Sequence, residues 1–374
     1  MASFDSQLRS RGPQAVRPNV DVRETLLDFE ADWRDRSHFL EAHGYRLRPR
    51  LRPGWKPSWH TSGKSAWRAE DAVWSHMRPS LMDATRISDG RAVYIKKIRT
   101  GDLESTIASY LDSTSLRARP DNHSAPVLEV FPDPSDPSVS YMVMPFLRPM
   151  TRPPFEYVGE ILDFGEQILE GLVFMHEQGV AHRDCSEKNI MMDGDSVYPM
   201  GNHPVSESFL PDFSGRAPVV SRLVAGPRYY FVDYGISTQV APGTTSVMVL
   251  GTLGREQDVP ELSEEVPYDP FKVDIFTIGC VLRRVFYKPY SNAEFIAPFI
   301  ELMTRTDPSA RPSAAECLAR WRGMRRTFSA LHRHWRLKER TESMVHRAVF
   351  DLVHTTRVAS HLAQWLKGQR FRGS

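Results

Sequence analysis

Four short motifs with charged or amide side chains occur in one order along the chain. VYIK (Val93–Lys96) ends a predicted strand, and HRDCSEKN (His182–Asn189) follows a long predicted helix. DYG (Asp233–Gly235) follows the strand-like YYFV, and VPE (Val259–Glu261) precedes DPSARP at 307–312. Together they offer an ammonium group that can neutralise phosphate, and oxygen ligands of the kind that Mg²⁺ prefers. The pattern therefore indicates metal-dependent chemistry on a phosphorylated substrate.

In this order the motifs resemble the signature set of the protein kinase superfamily: the strand lysine, HRDxxxxN, DFG and APE. The resemblance covers roughly residues 80–325, and HRDxxxxN is its most specific part. It implies an α+β fold of two lobes, with a small β-rich N-lobe and a larger helical C-lobe. It also implies an enzyme that uses Mg²⁺ to transfer the γ-phosphate of ATP to a protein hydroxyl, with serine or threonine favoured over tyrosine.

Phosphoryl transfer depends on positioning and charge neutralisation more than on covalent help from the protein. On this resemblance, Lys96 binds the α- and β-phosphates, and Glu104, the only glutamate of DLESTIASYL, orients that lysine. Asp184 accepts a hydrogen bond from the attacking hydroxyl, while Asn189 and Asp233 are the predicted Mg²⁺ ligands. The alternatives are a solvated charge at a helix N-terminus for Glu104 and a loop-capping aspartate for Asp184.

The adenine is expected at a hinge formed by the segment Met144-Pro145-Phe146-Leu147. Recognition there uses a backbone carbonyl and a later N–H group. Pro145 lacks an N–H but keeps its carbonyl, so it is compatible with binding. The alternative interpretation of MVMPFL, a buried strand that runs into a turn, is compatible with the hinge.

Five further residues have structural roles implied by the resemblance. His182 is expected to pack against the catalytic loop, and Arg183 to receive a phosphate on the activation segment. Asp274 is expected to hold the backbone of the catalytic loop. Glu261 and Arg311 are expected to form the ion pair that anchors the activation segment to the C-lobe.

Three departures from the family pattern bear on activity. No GxGxxG precedes VYIK, so the phosphate-covering loop is missing or rebuilt, and residues 45–79 are the region that could supply arginine or lysine instead. Ser186 stands where many serine/threonine kinases carry a lysine, and Lys188 either replaces it or is a surface charge. Tyr234 replaces the phenylalanine of DFG, which requires a partner for its hydroxyl.

Two other functions therefore stay open beside an active protein kinase. One is a pseudokinase that binds nucleotide or partners without turnover, and the other is a small-molecule phosphotransferase of related fold. The insertion at 193–228, with segments such as GYRLRPRLRPGW and AHRDCSEKNIMMD, resembles the divergent kinase-like proteins of mushroom-forming (basidiomycete) fungi. That resemblance indicates a source rather than a substrate.

Hydrophobic periodicity predicts the elements that must position these motifs. LMDATRI and RAVYIKKI form a hairpin around an Asp-Gly turn, DLESTIASYL forms a short helix, and PVLEVF and YMVMPFL form two strands. Residues 155–179 form a long helix that Gly179 terminates, and FKVDIFTIGCVLRRVFY forms a buried helix. A charged helix is predicted within 21–44. Four tryptophans at 55, 59, 67 and 74 predict that this irregular region is packed.

The chain is expected to comprise an N-terminal extension (1–45), the N-lobe (46–147), the C-lobe (148–325) with its insertion, and a basic helical tail (326–374). Residues 325–374 hold eleven Lys/Arg against three Asp/Glu. We expect the tail to pack on the C-lobe rather than to bind nucleic acid, because apolar residues from Trp335 to Leu366 need burial.

Bulk composition fits an ordinary globular protein. The 374 residues are 41% hydrophobic and 25% charged, and the net charge of +2 indicates neither a nucleic-acid nor a membrane partner. Three widely spaced cysteines form no metal motif and suit a reducing compartment. No secretory signal or membrane span is evident, so the expected location is the cytoplasm or nucleus.

Overall fold

An antiparallel five-stranded sheet forms the N-terminal lobe. The computed structural model describes residues 23–63, 65–75, 78–244, 247–347 and 349–351. The sheet has the order β1-β2-β3-β5-β4, with bounds β1 Tyr45–Leu47, β2 Leu81–Arg86, β3 Ala92–Arg99, β4 Glu129–Pro132 and β5 Val139–Pro145. The predicted hairpin is confirmed, since Thr85 pairs with Ala92 and Leu81 with Lys96. Gly90 in its turn has φ +73°, which glycine adopts without steric cost.

Two helices precede this sheet and pack on one of its faces. The charged helix predicted within 21–44 is divided into α1 (Asp28–Asp35) and α2 (Ser37–Ala42). Trp33 and Leu40 are fully buried among apolar strand residues. The Trp33 indole N–H also donates to the carbonyl of Pro79 at 2.9 Å. The sheet therefore has an apolar cover on that face.

Residues 48–80, between β1 and β2, form a long and largely irregular connection, here named the 48–80 excursion. Its described residues include one short α-helix, α3 (Trp59–Ser62). A fully buried Arg50–Glu30 ion pair of 2.9 Å fixes its base. The expectation that all four tryptophans pack is wrong for Trp67, which is 74% exposed, and for Trp74. The guanidinium of Arg23 lies 3.8 Å from the Trp67 ring, so a cation–π contact takes the place of burial.

A short helix crosses behind the sheet, as predicted from DLESTIASYL. This helix, α4 (Leu103–Leu111), begins after Asp102, whose carboxylate accepts from the Ser105 N–H at 2.8 Å. Such a cap satisfies one of the free N–H groups of the first turn. Ile107 and Leu111 are fully buried on its inner face. A further turn, α5 (Thr114–Arg117), leads to β4.

The C-terminal lobe is mainly helical. Its helices are α6 Val158–Glu177, α7 Arg222–Ala225, α8 Pro270–Leu282, α9 Ala297–Met303, α10 Ala314–Arg325 and α11 Ala330–Arg333, and α8 continues as a π-helical segment, Arg283–Tyr287. Its strands form the sheets β6-β8-β9, β7-β10 and β11-β12, with bounds β6 Arg148–Pro149, β7 Val180–Ala181, β8 Ile190–Met192, β9 Tyr229–Phe231, β10 Thr238–Gln239, β11 Val249–Gly251 and β12 Ser263–Tyr268. The predicted α+β architecture of two lobes is confirmed.

Helices α6 and α8 run through the core of this lobe. Every residue of α8 from Val273 to Leu282 is buried, as its continuous apolar sequence predicted. Helix α6 packs tightly on α10, because a Cβ at Gly165 would lie 2.1 Å from the Trp321 ring. Gly179, at φ +72°, follows the end of α6 as predicted.

The insertion at 193–228 is irregular apart from α7, and it contacts both lobes. Arg148 donates to Asn202 at 2.9 Å and to Asp195 at 2.8 Å beside the hinge. The fully buried ring of His203 lies 3.3 Å from Glu70 of the 48–80 excursion. The insertion therefore joins the C-lobe to the 48–80 excursion of the N-lobe.

The C-terminal segment docks mainly through its backbone. The Val158 N–H donates to the carbonyl of Trp335 at 2.9 Å, and the Leu337 N–H donates to the carbonyl of Glu156 at 2.8 Å. The expected burial is wrong for Trp335, Val345, Val349 and Phe350, whose exposed fractions are 54%, 71%, 51% and 48%. The predicted apolar positions from Val353 to Leu366 lie outside the described residues. Among the described residues, no helix is long and apolar enough to cross a membrane.

Candidate active site

Three charged side chains from separate elements meet at the back of the cleft between the lobes. Lys96 lies on β3, Glu104 in the first turn of α4, and Asp233 just after β9. The Lys96 Nζ lies 2.5 Å from Glu104 Oε1 and 3.1 Å from Asp233 Oδ1. The link of eight residues between Lys96 and Glu104 is long enough, because Gly101, at φ +70°, allows a tight turn. The predicted ion pair is therefore formed.

The charges of this triad depend on one another. Burial raises the pKa of Glu104 to about 7, against the attraction of Lys96. Burial acts to lower the pKa of Lys96, but Glu104 and Asp233 outweigh it and hold that pKa above its usual range. Burial acts to raise the pKa of Asp233, but Lys96 outweighs it and lowers that pKa. The cleft thus keeps a cation at Lys96 and a carboxylate at Asp233.

The catalytic loop places Asp184 and Asn189 side by side. The Asn189 Nδ2 donates to Asp184 Oδ2 at 2.8 Å and to the Asp184 carbonyl at 3.0 Å. The side-chain oxygen of Asn189 is therefore the atom that remains for a cation. Asn189 and Asp233 line the same cleft and offer hard oxygen ligands, so the donor set fits Mg²⁺.

A fully buried aspartate holds the backbone of this loop. Asp274 accepts from the His182 N–H at 2.8 Å and from the Arg183 N–H at 2.6 Å. Arg183 and Asp233 both have positive φ, 66° and 71°. Non-glycine residues are uncommon in this region and are often found at functional sites. The contacts thus match the role predicted for Asp274.

Tyr234 fills an apolar slot beneath the site. Its ring is buried, and its hydroxyl donates to the carbonyl of Phe231 at 3.3 Å. The ring centroid of Tyr234 lies 5.1 Å from that of His182. Burial raises the pKa of the Tyr234 hydroxyl, which therefore stays protonated as a donor. The tyrosine thus satisfies its polar group while it packs as a phenylalanine would.

The activation segment, residues 235–261, is anchored at both ends. Arg311 makes two bonds to Glu261, at 2.5 and 2.8 Å, as predicted. The Arg183 guanidinium donates to carbonyls at 236 and 250 and to the Tyr268 hydroxyl, at 3.2, 3.1 and 2.9 Å. The arginine predicted to receive a phosphate is therefore bonded directly to the segment here.

The cleft itself is small, about 230 Å³, and its lining includes most predicted site residues. Met144, Pro145 and Leu147 border it at the hinge, as the sequence indicated. Asp184 is absent from that lining, but its carboxylate lies next to Asn189, which belongs to it. A larger groove of about 870 Å³ lies between β1–β3 and the insertion. Of the predicted site it shares only the hinge residues at 145, 146 and 147, so the predicted site corresponds to the smaller cleft.

Several lining residues were not among those predicted from the sequence, and they include four with charged or aromatic side chains. Arg78 comes from the 48–80 excursion, Glu207 from the insertion and Arg255 from the activation segment. Tyr94 lies two residues before Lys96 on β3 and so projects from the same face of the strand. The period of two along a strand could have revealed Tyr94, but no local pattern marks the other three.

Comparisons with known proteins agree with this geometry. Residues 154–294 match the family model of the protein kinase domain. The chain is 24% identical to sperm motility kinase 2B of Mus musculus, over 41% of this chain and 30% of that protein. It is 30% identical to the serine/threonine-protein kinase nekl-2 of Caenorhabditis elegans, over 35% of this chain and 28% of that protein. It is 23% identical to the serine/threonine-protein kinase BCK1/SLK1/SSP31 of Saccharomyces cerevisiae, over 36% of this chain and 7% of that protein.

The two-lobed fold, the anchored catalytic loop and these matches define a protein kinase fold. The chain spans less than a third of the length of these curated relatives. The match over residues 154–294 and the two-lobed architecture support a relationship to the eukaryotic protein kinase superfamily.

Proposed function

We propose that this chain is an active protein kinase that transfers the γ-phosphate of ATP to a serine or threonine hydroxyl of a protein. The observation that carries the proposal is the assembled triad of Lys96, Glu104 and Asp233 beside the Asp184–Asn189 pair. A member of this fold that has lost activity is expected to lack one of these side chains, and all five are present here. Two of the relatives carry the name serine/threonine-protein kinase, which supports that class of acceptor.

The side chains divide the reaction between them. Lys96 holds the α- and β-phosphates, and Asp184 accepts the hydrogen bond that orients the attacking hydroxyl. The hydroxyl oxygen forms a bond to the γ-phosphorus, and the bond from that phosphorus to the β,γ-bridging oxygen breaks, leaving its electron pair on ADP. Asp184 takes the hydroxyl proton late and later releases it to solvent. Mg²⁺ held by Asn189 and Asp233 would neutralise charge on the phosphates.

The cellular setting is also part of this proposal. All three cysteines, Cys185, Cys280 and Cys317, are buried and free, which suits the cytoplasm or nucleus. Because the proposed acceptor belongs to a protein, the expected partners are ATP and a protein substrate. The resemblance to basidiomycete kinase-like proteins supports a fungal source.

The test compares phosphate transfer by the wild type and by Asp184→Asn, with ATP, Mg²⁺ and a generic basic protein as acceptor. We expect Asp184→Asn to lower kcat by about 10³-fold, because the general base is lost. Asp35→Asn, the same exchange at a side chain that is 56% exposed, is the control and should act like the wild type. A wild type that transfers nothing but is stabilised by ATP would make the chain a nucleotide-binding pseudokinase. Transfer to a small hydroxyl compound alone would make it a small-molecule phosphotransferase.

A further inference from the structure

The activation segment brings a cation to the catalytic aspartate. The Arg255 N–H donates to Asp184 Oδ1 at 2.9 Å, and the Arg255 Nε lies 3.8 Å from Asp184 Oδ2. The preceding Gly254 has φ +129°, and a Cβ there would lie 3.2 Å from the Arg183 carbonyl. Glycine at 254 therefore allows the segment to approach the catalytic loop closely enough to place Arg255 in the cleft.

The catalytic loop lacks a cation of its own at the corresponding place. Ser186 is buried, its Oγ has no hydrogen-bond partner among the described residues, and it does not line the cleft. A transferring γ-phosphate spreads negative charge over three oxygens, so it needs positive charge between the base and the metal ligands. Another residue must therefore supply that charge.

Four cationic residues line the cleft, and their positions differ. Lys96 is already paired with Glu104 and Asp233. Lys188 is 61% exposed, with its Nζ 4.0 Å from Glu187. Burial raises the pKa of the Tyr94 hydroxyl, and Arg78 partly offsets that shift, so the charge of Arg78 acts near the hinge end of the cleft.

Arg255 alone among these four contacts the predicted base. Its side chain is 50% exposed, and the 3.8 Å contact with Asp184 is an ion pair without a hydrogen bond. The guanidinium is therefore free to turn toward a stronger anion, and its planar fork can bind two phosphate oxygens at once.

We propose that Arg255 binds the γ-phosphate during transfer and replaces the lysine that is absent at position 186. The proposal deepens the proposed kinase function and rests on it. It names a catalytic group that the activation segment, rather than the catalytic loop, contributes. A movement of the activation segment would then change the γ-phosphate contact and the contact of Arg255 with Asp184 at the same time.

The experiment measures kcat and the affinities for ATP and ADP in Arg255→Met, which keeps the aliphatic stem and the backbone N–H. We expect kcat to fall about 100-fold and the preference for ATP over ADP to fall about tenfold, because ADP has no γ-phosphate. Arg255→Lys should retain part of the activity. Adding Ser186→Lys to Arg255→Met should restore at least about tenfold in kcat. Arg320→Ala, at an exposed arginine of α10, is the control and should behave as the wild type.

Several outcomes would overturn the proposal. An active wild type whose kcat Arg255→Met leaves within about threefold would remove Arg255 from the reaction while the kinase function stands. Equal losses of ATP and ADP affinity without rescue by Ser186→Lys would show a structural role. A large loss of kcat in Lys188→Ala alone would assign the cation to Lys188. If the wild type binds ATP without turnover, the change in the ratio of ATP affinity to ADP affinity on Arg255→Met alone decides whether Arg255 binds the γ-phosphate. If the wild type binds no nucleotide, both proposals fail.

Discussion

Tyr94 and Lys96 project from the same face of β3 into the same cleft, because side chains alternate along a strand. The Tyr94 ring lies 5.1 Å from the Phe146 ring of the hinge segment, in a tilted contact. An aromatic ring therefore borders the cleft of about 230 Å³ next to the predicted adenine site. The Tyr94 ring therefore takes up space beside the predicted adenine site.

Tyr94→Ala should enlarge the cleft and tighten ATP binding. We expect the affinity for ATP to rise about fivefold, because the nucleotide no longer has to displace the ring. The unliganded protein should lose about 2 kcal/mol of unfolding free energy, since a partly buried aromatic ring is removed. Calorimetric titration with ATP measures the change in affinity, and urea unfolding measures the change in unfolding free energy.

Tyr94→Phe separates the ring from its hydroxyl and serves as the matched control. It should bind ATP like the wild type, because the volume of the ring is unchanged. If Tyr94→Ala instead abolishes ATP binding while Tyr94→Phe retains it, the ring is a stacking surface for the adenine rather than an obstruction.

Glu104→Gln should make catalysis weaker and less dependent on pH. Burial raises the pKa of Glu104 to about 7, so its carboxylate is fully charged only above that pH. The charged form orients Lys96, and we expect the substitution to lower kcat/KM about 30-fold at pH 8. As the pH falls from 8 to 6, protonation of Glu104 should reduce the advantage of the wild type over the variant.

The measurement is the ratio of kcat/KM between wild type and Glu104→Gln across that pH range. Titration of ATP itself affects both enzymes equally and cancels in the ratio. Glu24→Gln, at a side chain that is 48% exposed, controls for the exchange. A ratio that stays constant from pH 6 to 8 would show that Glu104 does not titrate there.

Some of the predicted contacts form within one motif or across a short link, and the predicted long-range contacts followed only from the family resemblance. Asp184 and Asn189 belong to one loop, and only eight residues separate Lys96 from Glu104. Their geometry follows from the loop, or from one strand, one turn and one helix. Local sequence therefore specifies most of the cleft floor and the lysine–glutamate pair.

Other contacts depend on the path of the whole chain. Glu70 and His203 are 133 residues apart, and Arg255 and Asp184 are 71 apart. No local periodicity signals such pairs, because tertiary packing brings them together. The exposure of Trp67 was missed for a related reason: aromatic residues predict burial, whereas here the ring is partly covered by a distant arginine.

Removal of phosphate from the protein should leave its kinase activity within about twofold of the untreated enzyme. Arg183 already donates to the carbonyls of Ile236 and Leu250 and to the Tyr268 hydroxyl, so no phosphate is required to satisfy it. The β11–β12 pairing holds the same segment against the C-lobe. Activity is measured after phosphatase treatment, with complete removal checked by intact mass.

Tyr268→Phe tests whether these direct bonds take the place of a phosphate. The variant loses the bond from Arg183 and the bond to Gly251, so activity should fall about fivefold. Tyr287→Phe is the matched exchange at a tyrosine of the helical part of the C-lobe. If phosphatase treatment abolishes activity and Tyr268→Phe has no effect, Arg183 serves a phosphate after all.

Asp133 should make the protein sensitive to acid. Its carboxylate accepts from Arg36 and Tyr141, each at 2.7 Å, and from the Ser135 N–H at 2.8 Å. Burial acts to raise the pKa of Asp133, but these hydrogen bonds outweigh it and hold that pKa well below its usual range. A lowered pKa stabilises the fold above the unfolded-state pKa, about 3.9, and the stabilisation is lost as the pH falls below that value.

Urea unfolding of wild type and Asp133→Asn from pH 6 to pH 3 measures this effect. We expect the variant to be less stable than the wild type at pH 6, by about 2 kcal/mol, because Arg36 and Tyr141 lose a charged acceptor. The difference should shrink toward pH 3, where the wild-type carboxylate begins to lose its advantage over the unfolded chain. Asp35→Asn, at an exposed position of α1, should show no such convergence. Parallel curves for wild type and Asp133→Asn would mean that acid unfolding is set by other carboxylates.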